Sequence, residues 1–341
     1  MIGLGLAGLS FAETLRLEGK SVHVIDSKKS GSSAIAAGIY NPTVLKRFNL
    51  SWNGVKFHET ALPFYQSIEK RLNQNLLRRL PIHKIFSEAA DHNQWIVASD
   101  REGLDFFLDS KIKHDQHQGI KTPYGYGTVK HCGRLDTATL IETYKSALGN
   151  DYQQENFDYH ALEILDNSIR YKSIEASHIV FCEGYAMVDN PFFSYLPLIG
   201  SKGQILLIRS SQLSSKMILK GPIFIAPLHD DLFWAGASFE QQDKSLQTTE
   251  EGKDWVLRKI HQMIEVPFTV EEQIAQIRPT VKDRRPLVGT HSSSRRIHLL
   301  NGFGSRGVLT APLASRWLFN AIFKNESLPD EVNISRFEKK V

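Results

Sequence analysis

An α/β fold, with a parallel sheet and a second, mostly antiparallel β region, is predicted by three features of this sequence. A glycine-rich turn over residues 3–8 precedes a helical pattern and then a β pattern, which is the order of a βαβ unit. β-rich runs separated by turns occupy residues 201–240. The length of 341 residues exceeds a typical single core, so we expect two domains or one large domain with an insertion.

The composition is that of an ordinary globular protein with enough apolar residues for a sizeable core. Hydrophobic residues make up 41% and charged residues 23% of the chain, and the formal net charge is +4. The basic runs at 282–285 and 295–296 are interpreted first as solvated surface, although an acidic substrate or a phosphate-rich cofactor would also suit them. The sequence contains no apolar run of the roughly 18 residues that a membrane span requires.

The two cysteines, Cys132 and Cys182, have neither a CxxC partner nor histidines at metal-ligand spacing. We therefore expect no disulfide framework and no metal site. Sparse cysteine use favours a cytoplasmic location. The apolar start of the chain lacks a basic segment before it, so we expect it to belong to the fold and not to a cleavable leader.

The turn at residues 3–8 reads Gly-Leu-Gly-Leu-Ala-Gly and matches the G-x-G-x-x-G pattern of dinucleotide-binding turns. Gly3 allows the tight turn, Gly5 lets the backbone approach a pyrophosphate, and Gly8 lets the following helix pack closely. The N-terminus of that helix offers unpaired N–H groups and a positive dipole end to phosphates. Asp26, which ends the β-rich run 21–25, can accept hydrogen bonds from ribose hydroxyls and disfavours a 2′-phosphate.

Two alternatives accompany this motif. A tight glycine turn that only packs a helix on a strand is the first, although strand, helix and acidic residue all stand in the expected order. The second concerns the start of the unit, because only Met1 and Ile2 precede Gly3 and most of the usual first strand is missing from the sequence. A truncated start and a sheet that accommodates a two-residue strand are both compatible with this pattern.

The segment after Asp26 favours an FAD site over an NAD site. Residues 27–38 are dense in small side chains, which let the backbone lie close to a flat ligand, and their serine hydroxyls can reach phosphates. A loop of this kind suits an extended cofactor that crosses the whole domain, as FAD does. The residues predicted to contact it are Ser27, Ser32, Ser33, Ala36, Ala37 and Gly38.

Five stretches of the sequence together resemble the D-amino-acid-oxidase-like flavoproteins, the family that includes glycine oxidase and sarcosine oxidase. They are the glycine turn with Asp26, residues 33–38, residues 133–136, residues 277–289 and residues 302–312. The last stretch is most similar to the oxidase domain of the bifunctional enzymes that complete 5-methylaminomethyl-2-thiouridine in tRNA. Those enzymes carry a methyltransferase domain ahead of the oxidase domain, and we expect no such domain in this chain.

The resemblance implies a Rossmann-like FAD-binding domain assembled from separated segments, beside a mostly antiparallel substrate domain. The FAD-binding domain would comprise residues 1–45, 130–190 and 290–341, and the substrate domain residues 46–129 and 191–289. The strand at 178–181, which ends at Gly184, resembles the last strand of the family's cofactor domain.

Periodicity predicts several elements within these segments. The helical patterns lie at 54–79, 250–264 and 311–323, and the β-rich runs at 203–208, 222–227 and 232–237.

The chemistry that the resemblance implies asks the protein to hold an amine substrate and to stabilise negative charge on the flavin. Arg278 is the candidate for the first task, because a guanidinium forms a planar fork that matches a substrate carboxylate. The alternative role for Arg278 is a surface salt bridge.

The glycine-containing turn before the helix at 311–323 is the candidate for the second task, since its N–H groups and that helix can face the flavin. The predicted cofactor contacts there are Gly304, Ser305, Arg306, Gly307 and Val308, together with Gly184. Arg306 would bind flavin or substrate, with a solvent-facing side chain as the alternative. Glycine-oxidase-like proteins have an arginine one position earlier, so the correspondence is offset.

The candidates for further substrate contacts are Tyr40, Asn41 and Trp234, with Trp52 and Tyr185 as additional residues of the pocket. Core packing is the commoner role for each aromatic side chain. We assign no general base, because a substrate ammonium group can lose its proton to water. Neither cysteine stands where relatives attach a flavin covalently, so we expect non-covalent FAD.

The resemblance therefore predicts oxidation of the C–N bond of a carboxylate-bearing amine, such as glycine, sarcosine or a D-amino acid. Oxygen or another electron acceptor would complete the cycle. The alternatives are the same chemistry on a carboxymethylaminomethyl-uridine in tRNA, a non-catalytic FAD-binding protein, and an NAD dehydrogenase. The number of chains in the assembly stays open.

Overall fold

The computed structural model describes residues 1–29, 31–114 and 119–337, which form the predicted mixture of α and β structure. The helices are α1 (Leu6–Leu17), α2 (Ser32–Ile35), α3 (Gly54–Leu72), α4 (Ala90–Ser99), α5 (Thr137–Leu148), α6 (Glu250–His261) and α7 (Gly307–Phe323). The strands are β1 (Val24–Asp26), β2 (Ile39–Tyr40), β3 (Thr43–Val44), β4 (Asn49–Leu50), β5 (Leu77–Arg79), β6 (Ile82–Ile85), β7 (Leu108–Lys113), β8 (Tyr126–Val129), β9 (Gly133–Leu135), β10 (Tyr152–Gln154), β11 (Leu162–Ile164), β12 (Ile169–Tyr171), β13 (Ile174–Ala176), β14 (Ile179–Phe181), β15 (Ser201–Arg209), β16 (Ile218–Lys220), β17 (Phe224–Pro227), β18 (Leu232–Gly236), β19 (Thr269–Arg278), β20 (Leu287–Thr290) and β21 (Ile297–Asn301).

A largely parallel sheet carries the glycine turn, with Ile2 bridging two strand pairs. Strand β1 pairs with β10, β14 pairs with β21, and both pairs are parallel, whereas β20 is antiparallel to β21. Ile2 forms parallel bridges to Ile25 and Phe181. The Ile2 N–H donates to Val180 O at 2.9 Å, and the Gly3 N–H donates to Ile25 O at 2.8 Å. Ile2 therefore occupies the central position of the sheet order β10–β1–Ile2–β14–β21–β20.

Apolar side chains cover both faces of this sheet, as expected for parallel strands. On one face, α1 and α7 bury Phe11 and Leu318 against Val180 and Leu300. The other face packs against the antiparallel β11–β12–β13 sheet and the segment that follows β14. This burial explains why the strands are short apolar runs without polar alternation.

The second large sheet has eight strands in the order β19–β15–β18–β17–β16–β6–β8–β7 among the described residues. Every neighbouring pair is antiparallel except β16–β6, which is parallel. The predicted runs at 203–208, 222–227 and 232–237 are confirmed as β15, β17 and β18 with shifted ends.

The two faces of this sheet have different neighbours. On one side, here called the α6 face, Leu206 and Ile225 pack with Val256 and Ile260 of α6. The opposite side, here called the α2 face, carries Trp234, whose indole N–H donates to Ile35 O at 3.0 Å. Because side chains alternate along a strand, register assigns the remaining residues of each strand to one face or the other.

The predicted helix over 54–79 is wrong over its last seven residues, 73–79. Helix α3 ends at Leu72, and Asn73 takes the left-handed conformation with φ 51° as the C-cap. Residues 77–79 instead form β5, which pairs with β9. An asparagine tolerates the left-handed conformation at low cost, and so it can stop a helix whose apolar pattern continues. The division of the chain into two domains at the predicted boundaries stays a prediction.

None of the helices in the described part of the chain is long and apolar enough to cross a membrane.

The buried carboxylate of Glu13 ties three helices together beside the glycine turn. Its side chain has no solvent exposure and accepts hydrogen bonds from Arg16 at 2.8 Å and from Arg71 at 2.9 Å. The hydroxyl of Tyr144 donates to the same carboxylate at 3.1 Å. Since Glu13 lies in α1, Arg71 in α3 and Tyr144 in α5, the network fixes the packing of these helices.

The substitution Glu13→Ala should lower the free energy of unfolding by about 3 kcal/mol, because it leaves partly buried cations without their counter-charge. Urea denaturation measures the loss. The matched control is Glu142→Ala, which removes an exposed carboxylate 3.0 Å from Lys145 and should cost less than about 1 kcal/mol. Equal losses in the two variants would contradict the central role of Glu13.

Candidate active site

The three glycines of the N-terminal turn are held by different constraints. A Cβ on Gly8 would lie 2.0 Å from Gly3 O, and a Cβ on Gly3, whose φ is +91°, would lie 2.5 Å from Cys182 O. A Cβ on Gly5 would meet only the Ser33 side chain, with Oγ at 3.1 Å. Thus the fold itself requires glycine at positions 3 and 8, whereas Gly5 borders open space at the start of α1.

The first turn of α1 is an open group of N–H donors. Gly5 is the N-cap and supplies no side-chain cap. The Leu6 N–H donates to Ser33 Oγ at 3.1 Å, which joins the turn to the small-residue segment. Asp26 ends β1, and its Oδ1 accepts the Leu4 N–H at 3.0 Å. Burial raises the pKa of Asp26, while that backbone hydrogen bond opposes the rise.

Residues 31–38 contact this turn through Ser33. Ser32 and Ser33 begin α2, Ala36 is exposed, and Ala37 and Gly38 are buried. Ser27 Oγ makes a local contact with Lys29 O at 3.4 Å.

A buried arginine holds the end of this segment, and it was not among the predicted site residues. Arg134 Nε donates to Ala37 O at 3.2 Å, and its Nη1 lies 3.4 Å from Leu228 O. The Leu135 N–H donates to Gly38 O at 2.9 Å. Desolvation lowers the pKa of Arg134. Its position in the third family-like stretch, beside Leu135, is the sequence signal that pointed to it.

Gly184 and the C-terminal turn are joined by an asparagine that the sequence interpretation also missed. Asn301 Nδ2 donates to Gly184 O at 2.8 Å, and Asn301 Oδ1 accepts the Gly302 N–H at 2.9 Å. The buried carboxylate of Glu183 accepts hydrogen bonds from Tyr159 at 2.5 Å and Asn190 at 2.7 Å. Burial raises the pKa of Glu183. The loop after β14 is thus anchored on both sides.

The turn at residues 304–308 leads into α7 next to the start of α1. A Cβ on Gly307 would lie 3.1 Å from Leu6 Cδ1, so the two helix N-termini are neighbours. Ser305 is exposed and Val308 is buried in the first turn of α7. The Gly304 N–H donates to Pro279 O at 2.9 Å, which places this turn beside the end of β19. The structure therefore brings together the N-terminal and C-terminal motifs and the Arg-Pro motif.

Arg306 is the N-cap of α7 but supplies no side-chain cap. Its Nη1 is buried and has no hydrogen-bond partner among the described residues. Desolvation is the main cause that lowers the pKa of Arg306, and nearby Arg284 adds to it. A buried guanidinium nitrogen without a partner is costly, so a ligand acceptor would stabilise this position.

Arg278 ends β19 and extends across the neighbouring strand. A Cβ on Gly203 of β15 would lie 2.1 Å from Arg278 Nη2, so the guanidinium covers this glycine. Arg278 Nη2 has a long contact of 3.4 Å with Ser238 O. Desolvation lowers the pKa of Arg278, and no carboxylate in the described ranges forms an ion pair with it. Arg278 is thus half-buried, and among the described residues its guanidinium uses little of its hydrogen-bonding capacity.

The other predicted pocket residues differ in accessibility. Tyr40 is a core residue with 1% exposure, and its hydroxyl lies 3.4 Å from Arg78 O. Asn41 Oδ1 accepts the Thr43 N–H at 3.0 Å, which engages it in a local turn. Trp234 is half-buried on the α2 face.

The two additional aromatic candidates are also half-buried. The Trp52 ring packs on Phe57 and Trp317 and lies under Arg285 at 4.4 Å. Tyr185 packs against Gly200. No cluster of His, Cys, Asp and Glu able to hold a metal ion occurs in the part of the chain that the structure describes.

Comparison with known proteins adds a family match over most of the chain. The family described as FAD dependent oxidoreductase matches residues 1–321. The tRNA 5-methylaminomethyl-2-thiouridine biosynthesis bifunctional protein MnmC of Saccharophagus degradans is 23% identical over 388 residues, covering 95% of this chain and 52% of that protein. Glycine oxidase of Bacillus licheniformis is 23% identical over 373 residues, covering 100% of this chain and 96% of that protein.

The chain spans about half the length of the first curated relatives it matches. Among solved structures, iminodiacetate oxidase from Chelativorans sp. BNC1 has a TM-score of 0.78 at 18% identity, covering 98% of this chain and 97% of that one. Glycine oxidase from Bacillus cereus has a TM-score of 0.74 at 16% identity. At these identities the structural likeness concerns the fold.

The substitution Gly5→Val should reduce the affinity for FAD at least about tenfold while leaving the fold intact, because the new side chain fills space next to the N–H groups of α1. The ratio of flavin absorbance to protein absorbance measures retention, and circular dichroism checks the fold. Gly8→Val is the contrasting variant, since its Cβ meets backbone 2.0 Å away and folding should fail. An undiminished flavin ratio in Gly5→Val would remove this turn from the cofactor site.

Proposed function

Since the chain belongs to the FAD dependent oxidoreductase family, we propose that it oxidises the C–N bond of a carboxylate-bearing amine. The cofactor of this family is FAD. The observation that carries the proposal is the half-buried guanidinium of Arg278, which covers Gly203 and has no carboxylate partner among the described residues. Glycine, sarcosine and D-amino acids are small substrates of the proposed class.

The residues around the N-terminal turn fit the adenosine diphosphate half of FAD. The N–H groups at the start of α1 face the open space beside Gly5, and a helix N-terminus attracts phosphate. Asp26 would accept hydrogen bonds from the ribose hydroxyls. Ser33, already bonded to the Leu6 N–H, would keep the segment 31–38 against the cofactor. Arg134 would act indirectly by holding the Ala37 carbonyl.

The residues around the C-terminal turn fit the flavin half. When bound, FAD supplies the chemistry by accepting a hydride from the carbon next to the substrate nitrogen. The start of α7, which has no side-chain cap, would present N–H groups and a positive dipole end to negative charge on the flavin. The unpartnered Nη1 of Arg306 would add a fixed positive charge in the same region.

Arg278 would bind the substrate carboxylate and thereby orient the amine. A bidentate guanidinium–carboxylate pair fixes both position and rotation, which hydride transfer requires. The absence of a side chain at Gly203 gives the guanidinium room to lie flat on β15. The amine reacts in its neutral form, and the proton of its ammonium group can leave to water. Oxygen or another acceptor would reoxidise the flavin.

The test is the visible absorption spectrum of the purified protein, followed without oxygen as glycine, sarcosine or D-alanine is added. Bleaching of the flavin bands by one of these amines supports the proposal. A flavin spectrum that none of them bleaches would contradict oxidation of these small amines, and it is the result expected of a non-catalytic FAD-binding protein.

A second candidate has the same reaction on a carboxymethylaminomethyl-uridine in tRNA. Two observations favour it: bifunctional proteins named for tRNA thiouridine biosynthesis match the chain, and exposed Lys282 and Arg284 follow the Arg278–Pro279 motif. The affinity for tRNA should then fall steeply as salt concentration rises. Fluorescence anisotropy across a KCl series measures it, and an affinity that does not change with salt contradicts this candidate.

The substitution Arg278→Ala should lower kcat/KM for the amine that bleaches the flavin by about 30-fold or more, since a buried charge-assisted pair contributes about 2 kcal/mol at least. FAD content should not change. Arg209→Ala is the matched control, because Arg209 is an exposed arginine on adjacent β15. Stopped-flow reduction with the amino acid and with its amide measures the carboxylate preference, and a preference preserved in Arg278→Ala would overturn this assignment.

A further inference from the structure

Two lysines lie side by side on the α2 face, far along the sheet from Arg278. Lys84 of β6 and Lys220 of β16 are register partners in the parallel pair of the eight-stranded sheet. Both side chains are half-buried. Exposed Lys46 is close enough to affect the charge on Lys220. These three residues are here called the lysine cluster.

The lysine cluster has no ion-pair partner in the described ranges. Lys84 Nζ donates to Ile85 O at 2.8 Å, and Lys220 Nζ donates to Gly221 O at 2.6 Å. The carboxylate that influences Lys84 is Asp91, and it already accepts hydrogen bonds from Ser87 at 2.7 and 3.0 Å. Two ammonium groups on adjacent strands therefore repel each other with little compensation.

Both strand lysines of the cluster, Lys84 and Lys220, have lowered pKa values. Burial lowers the pKa of Lys220 to about 8, and repulsion from Lys84 and Lys46 contributes. Burial also lowers the pKa of Lys84. Such a cluster destabilises the free protein. An anion bound to it would relieve the repulsion.

Aromatic rings surround the ammonium groups. Lys84 Nζ lies 5.9 Å from the centre of the Phe48 ring and 6.0 Å from that of Phe86. Lys220 Nζ lies 4.9 Å from the centre of the Phe224 ring, which is half-buried. Phe48 and Phe86 are buried in the core, so Phe224 is the more accessible ring. Cations beside an accessible aromatic ring are the combination that binds single-stranded nucleic acid.

The lysine cluster shares a sheet face with Arg278. One row of directly paired residues crosses the sheet from the lysine cluster to β19. It consists of Lys84, Lys220, Phe224, Gly236, Ile205 and Ile274. Directly paired residues point to the same face, and Arg278 is four positions beyond Ile274 on β19, which is an even step. Trp234 is on this face too, but two positions from Gly236 in the direction away from Arg278, because Ser201 of β15 pairs with Arg278 and Leu207 pairs with Trp234.

The separation excludes a small substrate that touches both ends. Four strand spacings of about 4.8 Å and, at right angles to them, four residue steps of about 3.4 Å put Arg278 roughly 24 Å from Lys220 along the sheet. An amino acid with a second carboxylate is far shorter than this. A polymer with regularly spaced anionic groups can span it.

We propose that the lysine cluster binds a backbone phosphate of a single-stranded RNA segment whose modified base reaches Arg278. This inference rests on the second candidate function and adds to it the residues that hold the RNA away from the reacting amine. Lys84 and Lys220 would contact one phosphate from adjacent strands, and Phe224 would offer a surface for a neighbouring base.

The experiment measures the binding of a fluorescein-labelled single-stranded RNA oligonucleotide to FAD-loaded protein over a KCl series. Lys84→Gln and Lys220→Gln should each weaken binding several-fold and reduce the slope of log Kd against log salt by about 0.7. Lys259→Gln is the matched control, because Lys259 lies on α6, on the opposite face of the sheet, and its Nζ contacts Gln262 at 3.3 Å and the Trp255 ring. The control should bind like the wild type.

A thermal melt separates binding from a structural role. Removing one of two repelling charges should leave the Tm of Lys220→Gln equal to or above that of the wild type. A lower Tm accompanied by weaker RNA binding would assign the lysine a structural role and overturn the proposal. Unchanged affinity and salt slope in both glutamine variants would overturn it as well.

The outcomes keep this inference distinct from the proposed oxidation. Wild-type protein that binds inorganic phosphate but no RNA would overturn the RNA assignment, while flavin bleaching by free amines would still support oxidation. Salt-dependent RNA binding that both lysine variants lose supports the phosphate site even if no small amine bleaches the flavin.

Discussion

The backbone hydrogen bonds of Ile2 and Gly3 are the constraint on which the candidate site depends. Ile2 pairs with β14 through Val180 and Cys182, and Gly3 pairs with β1 through Ile25. These bonds fix where the central strand stops and the glycine turn begins. Because Cys182 N–H donates to Ile2 O at 2.7 Å, the loop that contains Gly184 is positioned by the same ladder. The glycine turn is therefore an extension of the sheet and not a separate loop.

The α2 face concentrates positive charge that the protein does not neutralise. Arg278, Lys84 and Lys220 are each at least half-buried, and each has only backbone carbonyl acceptors among the described residues. Elsewhere buried charge is compensated, as in the network of Glu13. Under the proposed function, an anionic ligand on the α2 face would supply the missing partners.

Local patterns predicted much of the fold and of the cofactor turn, because helices, strands and turn glycines depend on neighbouring residues. The pairing of Lys84 with Lys220 could not be predicted from local patterns, because β6 and β16 come from distant parts of the chain. Asn73 shows a different limit, as one residue in the left-handed conformation ended an otherwise continuous helical pattern. Gly203 had a usable signal, because glycine inside a strand often marks a close approach by another group.

The contact between Gly203 and Arg278 makes the two positions interdependent in evolution. Any side chain at position 203 would enter the volume now held by the guanidinium, whose Nη2 is 2.1 Å from where a Cβ would stand. A lineage that exchanged Arg278 for a small residue would free position 203 to vary, and a later arginine would then have to place its guanidinium elsewhere. Losing the guanidinium is therefore a single step, whereas regaining it in its present position requires two once residue 203 has changed.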